Sequence, residues 1–331
     1  MNTFFKPVND TAAIEQLNKE LSADGGRTAV ISGCIDTQKV HISSAVAQNY
    51  KFMLVITSDE AKARNMCDDA AFFNGEALYY PAKDAIFYSA DVTGNQITGQ
   101  RLKCISRLIE HIKAVDSKDG QDGGLLTLVT TIDGVSDRLV PLKRYMESVI
   151  TIDSTSEIDT EKLAKKMVQM GFTRTGMVED KGQFSIRGGI IDIFSYTDEA
   201  PVRIELWDTE VDSIRMFDAE SQRSIEKLKS YHIFPATEFL FTEEEKQAGL
   251  DKIRKERDEQ LECFDYGKRK RTQEQIEAGN NINKLVGDVE RTGNYSKFLD
   301  TIIKDTAGLI EYFPVEDTLI VLDEPNTQYI P

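Results

Sequence analysis

Between Phe184 and Ser224 the chain carries four short β-prone runs separated by turn residues, and this stretch limits the possible folds more than any other. The runs are Phe184–Arg187, Ile190–Phe194, Val202–Trp207 and Val211–Phe217, punctuated by Gly188-Gly189, by Thr197 to Pro201 and by Asp208-Thr209. That punctuation is the composition of hairpin connections, so a small antiparallel sheet is predicted. Side chains alternate between the faces of a strand, which puts Val202, Ile204 and Leu206 on one side and Arg203, Glu205 and Trp207 on the other. By the same period Phe184 and Ile186 point inward, while Ser185 and Arg187 point toward water. The only tryptophan of the protein thus falls on the polar face beside Arg187 and Arg203, a composition enriched at interface hot spots. A sheet covered on both faces would carry the same alternation, with the three residues playing structural parts.

Composition sets the frame around this sheet. A chain of 331 residues, 40% of them hydrophobic, suits two or three domains with real cores. A net charge of −16 argues against direct binding to a phosphate backbone. Cys34, Cys67, Cys104 and Cys263 share no metal-ligand spacing with His41, His111 and His232, so inert thiols and no metal site are expected. The segment Met1 to Leu21 lacks the apolar run of a secretory signal and no later stretch approaches a membrane span, which favours a cytoplasmic protein.

Upstream of the sheet, apolar runs alternate with helical patterns. Strands are predicted at Thr28–Ser32, Phe52–Thr57, Ala77–Tyr80 and Leu125–Thr130, with helices over Thr11–Leu21, Lys39–Gln48, Ser58–Phe73 and Gln96–Val115 and a surface loop over Ser117–Gly124. Such alternation implies parallel βαβ units. A helix over Asp159–Met170 accompanies the antiparallel strands, giving a small α+β domain at residues 148–235 that has the look of an insertion between a first lobe, 1–147, and a second, mainly helical lobe, 236–331. The last region opens with Thr242 and Glu245 at capping-box spacing, has further helices near Ile282–Val289 and Ser296–Lys304, and ends in a strand at Thr318–Leu322. Its basic run Lys268-Arg269-Lys270-Arg271 reads as a solvated face or turn balanced by acidic neighbours.

Two places bear on nucleotide chemistry. Gly33-Cys34-Ile35-Asp36-Thr37-Gln38-Lys39-Val40 stands between an expected strand and a helix, the context of a P-loop, and keeps Gly33 and Lys39 of that motif. Gln38 replaces the second glycine and Val40 the hydroxyl that would ligate Mg²⁺, so the loop reads as disabled. Asp323 and Glu324, at the end of the last strand, have Walker-B character. With no working phosphate cradle they are expected to be a structural remnant, and no cofactor is expected.

The run Gly-Gln-Phe-Ser-Ile-Arg-Gly-Gly-Ile-Ile-Asp-Ile-Phe, followed by Pro-Val-Arg-Ile-Glu and Ser-Ile-Arg-Met-Phe-Asp, resembles the inserted domain shared by bacterial transcription-repair coupling factors and the excision-repair protein UvrB. Gly293-Asn294-Tyr295-Ser296, Leu309 to Pro314 and Leu322 to Pro325 resemble successive motifs of both families in the same order. Asp84 to Gln96 is too short for the tyrosine-rich hairpin of UvrB, and Ser221-Gln222-Arg223-Ser224 is similar to the coupling factors. The resemblance therefore implies the UvrB-homology module of a coupling factor: an α/β, UvrB-like, degenerate P-loop, helicase-type module with an inserted α+β domain. It also implies recruitment of UvrA to stalled RNA polymerase, with polymerase and DNA contacted by other domains of a longer chain that continues past Pro331. The family's UvrA-contacting positions fall on Arg187, Arg203 and Trp207, with Arg174 at a further basic position of UvrB, while Ser185 stands where UvrB has arginine. Two competing expectations are a UvrB-like DNA-dependent ATPase using Lys39, Asp323 and Glu324, and a scaffold whose Trp207 surface packs on another domain of its own chain.

Overall fold

The computed structural model describes residues 3–21, 28–83, 91–116, 124–263, 272–292, 295 and 298–324. The chain divides into two compact units, one formed by Met1–Asp137 with Leu309–Pro331 and the other by Arg138–Gly308. The expected boundaries near residues 148 and 235 both fall inside the second unit.

The first unit begins with helices α1 (Lys6–Asn9), α2 (Ala12–Leu21) and α3 (Asp36–Ala47), and continues through β1 (Phe52–Thr57), α4 (Glu60–Asn74), β2 (Ala77–Tyr80), α5 (Asp91–Asp116), β3 (Leu126–Thr131) and α6 (Ile132–Ser136). The second unit contains α7 (Leu142–Ser148), β4 (Ile150–Asp153), α8 (Thr160–Gln169), β5 (Thr173–Arg174), β6 (Gln183–Arg187), β7 (Ile190–Phe194), β8 (Val202–Trp207), β9 (Glu210–Phe217), β10 (Ser224–Lys227), β11 (Ser230–Ile233), α9 (Glu243–Cys263), α10 (Gln273–Thr292) and α11 (Leu299–Ile302). The chain then returns to the first unit with β12 (Thr318–Leu322).

In the first unit a parallel sheet has the order β12-β1-β3-β2. Every residue of β1 and β3 is buried, as helices on both faces of a parallel sheet require. Val40 and Ala47 of α3 and Ala63, Met66, Cys67 and Ala70 of α4 pack over Met53 and Val55 on one face. On the other, Phe52 meets the rings of His111 and Phe313 edge-on. The mixed α/β class with a parallel sheet agrees with the sequence pattern. Thr28–Ser32 does not: it forms no strand, and Val30 and Ile31 are exposed. Among the described residues Thr28–Ser32 pairs with neither edge strand of the sheet, β12 or β2, so no ladder holds it extended.

In the second unit the sheet order is β10-β9-β8-β7-β6-β5, antiparallel except between β5 and β6. Its inner face, with Phe184, Ile191, Ile193, Val202, Ile204 and Ile214, is covered by Leu163 and Met167 of α8 and by Ile152, Tyr231 and Ile233 of the β4–β11 pair. Asp159 caps α8 by accepting from the amides of Glu161 and Lys162. The capping box opening α9 forms as the spacing suggests, with Thr242 and Glu245 bonded reciprocally. The basic run at 268–271 and the loop at 117–123 lie outside the described residues.

Candidate functional site

The outer face of the six-stranded sheet is built on alternation, but water does not reach all of it. Cross-strand register aligns Ser185 with Asp192, Asp192 with Arg203 and Arg203 with Arg215, while Arg187 pairs with Ile190 and Ile190 with Glu205. Asp192 is 1% exposed. Its Oδ1 accepts from Arg203 Nε at 2.6 Å, and its Oδ2 accepts from Arg203 Nη2 at 2.9 Å and from Arg187 Nη2 at 2.7 Å. Arg203 also donates through Nη2 to Gln222 Oε1 at 2.7 Å, and its guanidinium lies 4.3 Å from the Phe217 ring centroid. The bond to Asp192 raises the arginine's already high pKa further. One buried carboxylate thus gathers two of the residues singled out by alternation, and the charges sum to a local excess of one positive.

Exposure separates those residues. The Trp207 residue is 81% exposed, the Arg187 side chain 45% and the Arg203 side chain 12%. Arg203 is therefore not the open, outward arginine that the period of two suggests, because Asp192, Gln222 and Phe217 enclose it. Ser185 likewise points outward by alternation but is buried, donating to the Gly176 carbonyl at 3.0 Å. The chain preceding β6 covers that end of the face, which period alone cannot show. Trp207 closes β8 opposite Glu210, after a bulge between Glu205 and Leu206. Arg174 is exposed on β5 in register with Phe184, so it shares the Phe184 side and is not brought to the Arg187 side.

Asp192 and Gln222, which bond Arg203 on this face, were not singled out from sequence. Asp192 had a signal, since it interrupts an apolar strand on the same side as Arg203. Gln222 had none: it comes from a turn in which Asp218 accepts from the backbone and hydroxyl of Ser221, and it sits at φ 59°.

The second candidate place is at the carboxyl ends of β1 and β12, where α3 begins. Lys39 Nζ donates to Asp36 Oδ1 at 3.0 Å, Asp323 Oδ1 at 2.9 Å and Glu324 Oε1 at 3.0 Å. An ammonium has three donors, and all three meet carboxylates. Lys62, from α4, lies 2.6 Å from Asp323 Oδ2 and 3.1 Å from Glu324 Oε2, and Thr57 donates to Asp323 Oδ2 at 3.0 Å. Burial opposes the charge of Asp323, but hydrogen bonds from Lys62, Lys39 and Thr57 outweigh it and hold the carboxyl below its ordinary value. The two lysines also depress Glu324. The bond to Asp323 raises Lys39, and Lys62 is raised by Asp323 and Glu324 against its own burial. Gly33 precedes this cluster in the left-handed region, φ 80°, with open space where a side chain would stand. Asp36, Asp323 and Glu324 are close enough together to ligate one cation, yet the two ammonium groups already occupy that position. Lys62 was missed because nothing in the local sequence ties it to a carboxylate pair 261 residues away.

Among the described residues no helix is long and apolar enough to cross a membrane. Residues 150–239 match the family described as UvrB interaction domain. The transcription-repair-coupling factor of Bacillus subtilis is 31% identical over 98% of this chain and 26% of its own length. That of Staphylococcus aureus strain Mu50 is 28% identical over 91% of the chain and 25% of its own. The chain thus spans about a quarter of the length of the curated relatives it matches.

Proposed function

Since the chain belongs to the transcription-repair-coupling factor family as an N-terminal UvrB-homology module, we propose that it is an adaptor that recruits UvrA in transcription-coupled excision repair and has no ATPase activity of its own. The observation that carries the proposal is the outer face of the sheet within the matched residues 150–239, where the strand that supplies Arg203 to the Arg187–Asp192–Arg203 group ends in an 81% exposed tryptophan. A large apolar ring left in water and a partly open guanidinium suit a partner that offers an apolar recess flanked by a carboxylate. Polymerase and DNA belong, in this reading, to other regions of the longer family members, and the acidic charge of this module agrees with that division.

The α3 loop is, in the same reading, a degenerate P-loop whose chemistry has been replaced by ion pairs. Nucleotide phosphates would have to take Lys39 from three carboxylates, and Mg²⁺ would have to displace two ammonium groups from Asp323 and Glu324. This disfavours the alternative of a UvrB-like ATPase. Calorimetric titration of the purified chain with UvrA, with and without ATP and Mg²⁺, tests the adaptor reading. Saturable binding that stays the same when ATP is supplied to this chain supports it; absence of binding to UvrA in every nucleotide state overturns it.

A further inference from the structure

We propose that Gly189 is a positioning residue for Trp207: its backbone, together with that of residues 156–158, clamps the β8–β9 turn so that the exposed ring is in place before the partner arrives. The inference rests on the UvrA reading and adds to it the main chain that supports the contact.

A side chain that is 81% exposed has little packing of its own to fix it. Its place is then set by the main chain that carries it, and a loosely held main chain would add to the ordering cost of binding. On one edge of β8, Ile190, the first residue of β7, is in register with Glu205. The carbonyl of the preceding Gly189 accepts from the Leu206 amide at 2.8 Å. The pairing thus runs one residue past β7, into the β6–β7 turn, and reaches the residue just before Trp207. The Leu206 side chain packs against the core of the sheet domain, so this residue is held by side chain and backbone together.

On the other edge the register with β9 steps from Glu205–Ser213 to Leu206–Val211, which leaves Asp212 as the extra residue of the bulge. Bulges bend the strand and re-aim nearby side chains. Asp208 and Thr209 then turn the chain to Glu210, opposite Trp207. A third segment ties this turn down. The Ile158 amide donates to the Thr209 carbonyl at 2.7 Å, the Val211 amide donates to the Ser156 carbonyl at 3.3 Å, and Glu157 bridges Glu210. Trp207 therefore stands between two backbone anchors although its ring meets water.

The first anchor requires glycine. A Cβ on residue 189 would lie 2.8 Å from the Leu206 carbonyl oxygen, a backbone atom that cannot yield by changing rotamer. Alanine must push the turn away from β8, and the bond to the Leu206 amide is lost with it.

The test is a double-mutant cycle read by UvrA affinity, joined to measurements that need no partner. Gly189→Ala is expected to weaken UvrA binding about five- to tenfold, less than the roughly thirtyfold of Trp207→Ala, because the ring remains but must be ordered on binding. In the Trp207→Ala background it should have no further effect. Fold-losses that instead multiply would overturn the proposal, as would parent-like affinity of Gly189→Ala. Nitrogen-15 relaxation supplies the second arm: the backbone order parameter of Trp207 should be about 0.85 in the parent, as in rigid strands, and lower in Gly189→Ala. Equal order parameters in the two proteins would overturn the positioning role whatever the affinity does. Should Gly189→Ala fail to fold, amide exchange of the parent decides. Leu206 and Ile158 amides that exchange as slowly as the β7–β8 ladder support the clamp, and exchange at the rate of an open loop overturns it. If the parent does not bind UvrA at all, the UvrA reading falls, and relaxation and exchange alone decide whether the clamp exists.

Discussion

Replacing Trp207 by alanine separates a binding ring from a structural one. The tryptophan is 81% exposed, so of a contact area of about 200 Å² roughly 160 Å² remains to be covered by a partner. At about 25 cal/mol per Å² that area sets a ceiling of about 4 kcal/mol. Incomplete coverage and the ordering of the ring reduce it by about half, which leaves about 2 kcal/mol, or roughly a thirtyfold rise in Kd. The buried remainder of the ring, about 40 Å², amounts to about 1 kcal/mol in the folded protein at most, a fall in Tm of about 2–4 °C. Affinity for UvrA by biolayer interferometry and Tm by differential scanning fluorimetry measure the two quantities on the same preparations. Unchanged affinity would refute the reasoning, as would a loss of affinity accompanied by a fall in Tm several times larger than that.

The lysine–carboxylate cluster and the sheet domain give further expectations. Asp323→Ala should destabilise the protein by about 3 kcal/mol in chemical denaturation, because it leaves Lys39 and Lys62 without their shared buried partner. Asp323 and Glu324 both have lowered folded pKa values, so their contribution is complete above their ordinary values of 3.8 and 4.5 and is lost as pH falls through the folded ones; the acid arm of a stability profile should be shallower in the variant than in the parent. Lys39→Ala should lower Tm and leave ATP binding undetectable in both parent and variant; saturable Mg²⁺-dependent ATP binding by the parent that is lost in the variant would contradict the self-neutralised cluster. Gly171→Ala should cost about 2–4 kcal/mol in the same denaturation assay, since the glycine ends α8 at φ 87° and its Cβ would lie 2.5 Å from the Thr237 Cβ.

What the sequence made legible depended on how local the cause was. β1, β2 and β12 occupy the residues expected from their apolar runs, and the four central strands of the second unit begin and end within one residue of the turns that punctuate them. Burial on both faces and hairpin composition are local signals, and so is the Thr242–Glu245 capping box. Thr28–Ser32 carried the same apolar signal and failed, because among the described residues it pairs with no strand, and pairing is not written in a local run. The outer face was legible in Trp207, whose exposure follows from position in β8, and half-legible in the arginines. Alternation placed Arg187 and Arg203 on one side, but only cross-strand register brings Asp192 between them and closes Arg203 off. Lys62 shows the limit most plainly: its partners are Asp323 and Glu324, and only the closure of β12 against β1 makes them neighbours.

The most direct measurement uses the single tryptophan of the chain. Incorporating 5-fluorotryptophan puts one ¹⁹F resonance at Trp207, at the chemical shift of a ring in water, and titration with UvrA reads that site alone. If the outer face of the sheet is the UvrA surface, the resonance moves or broadens saturably toward the shift of a buried ring, with the same Kd as calorimetry. If calorimetry records binding while the Trp207 resonance keeps its free position and width throughout, UvrA binds elsewhere and the assignment of this surface is wrong.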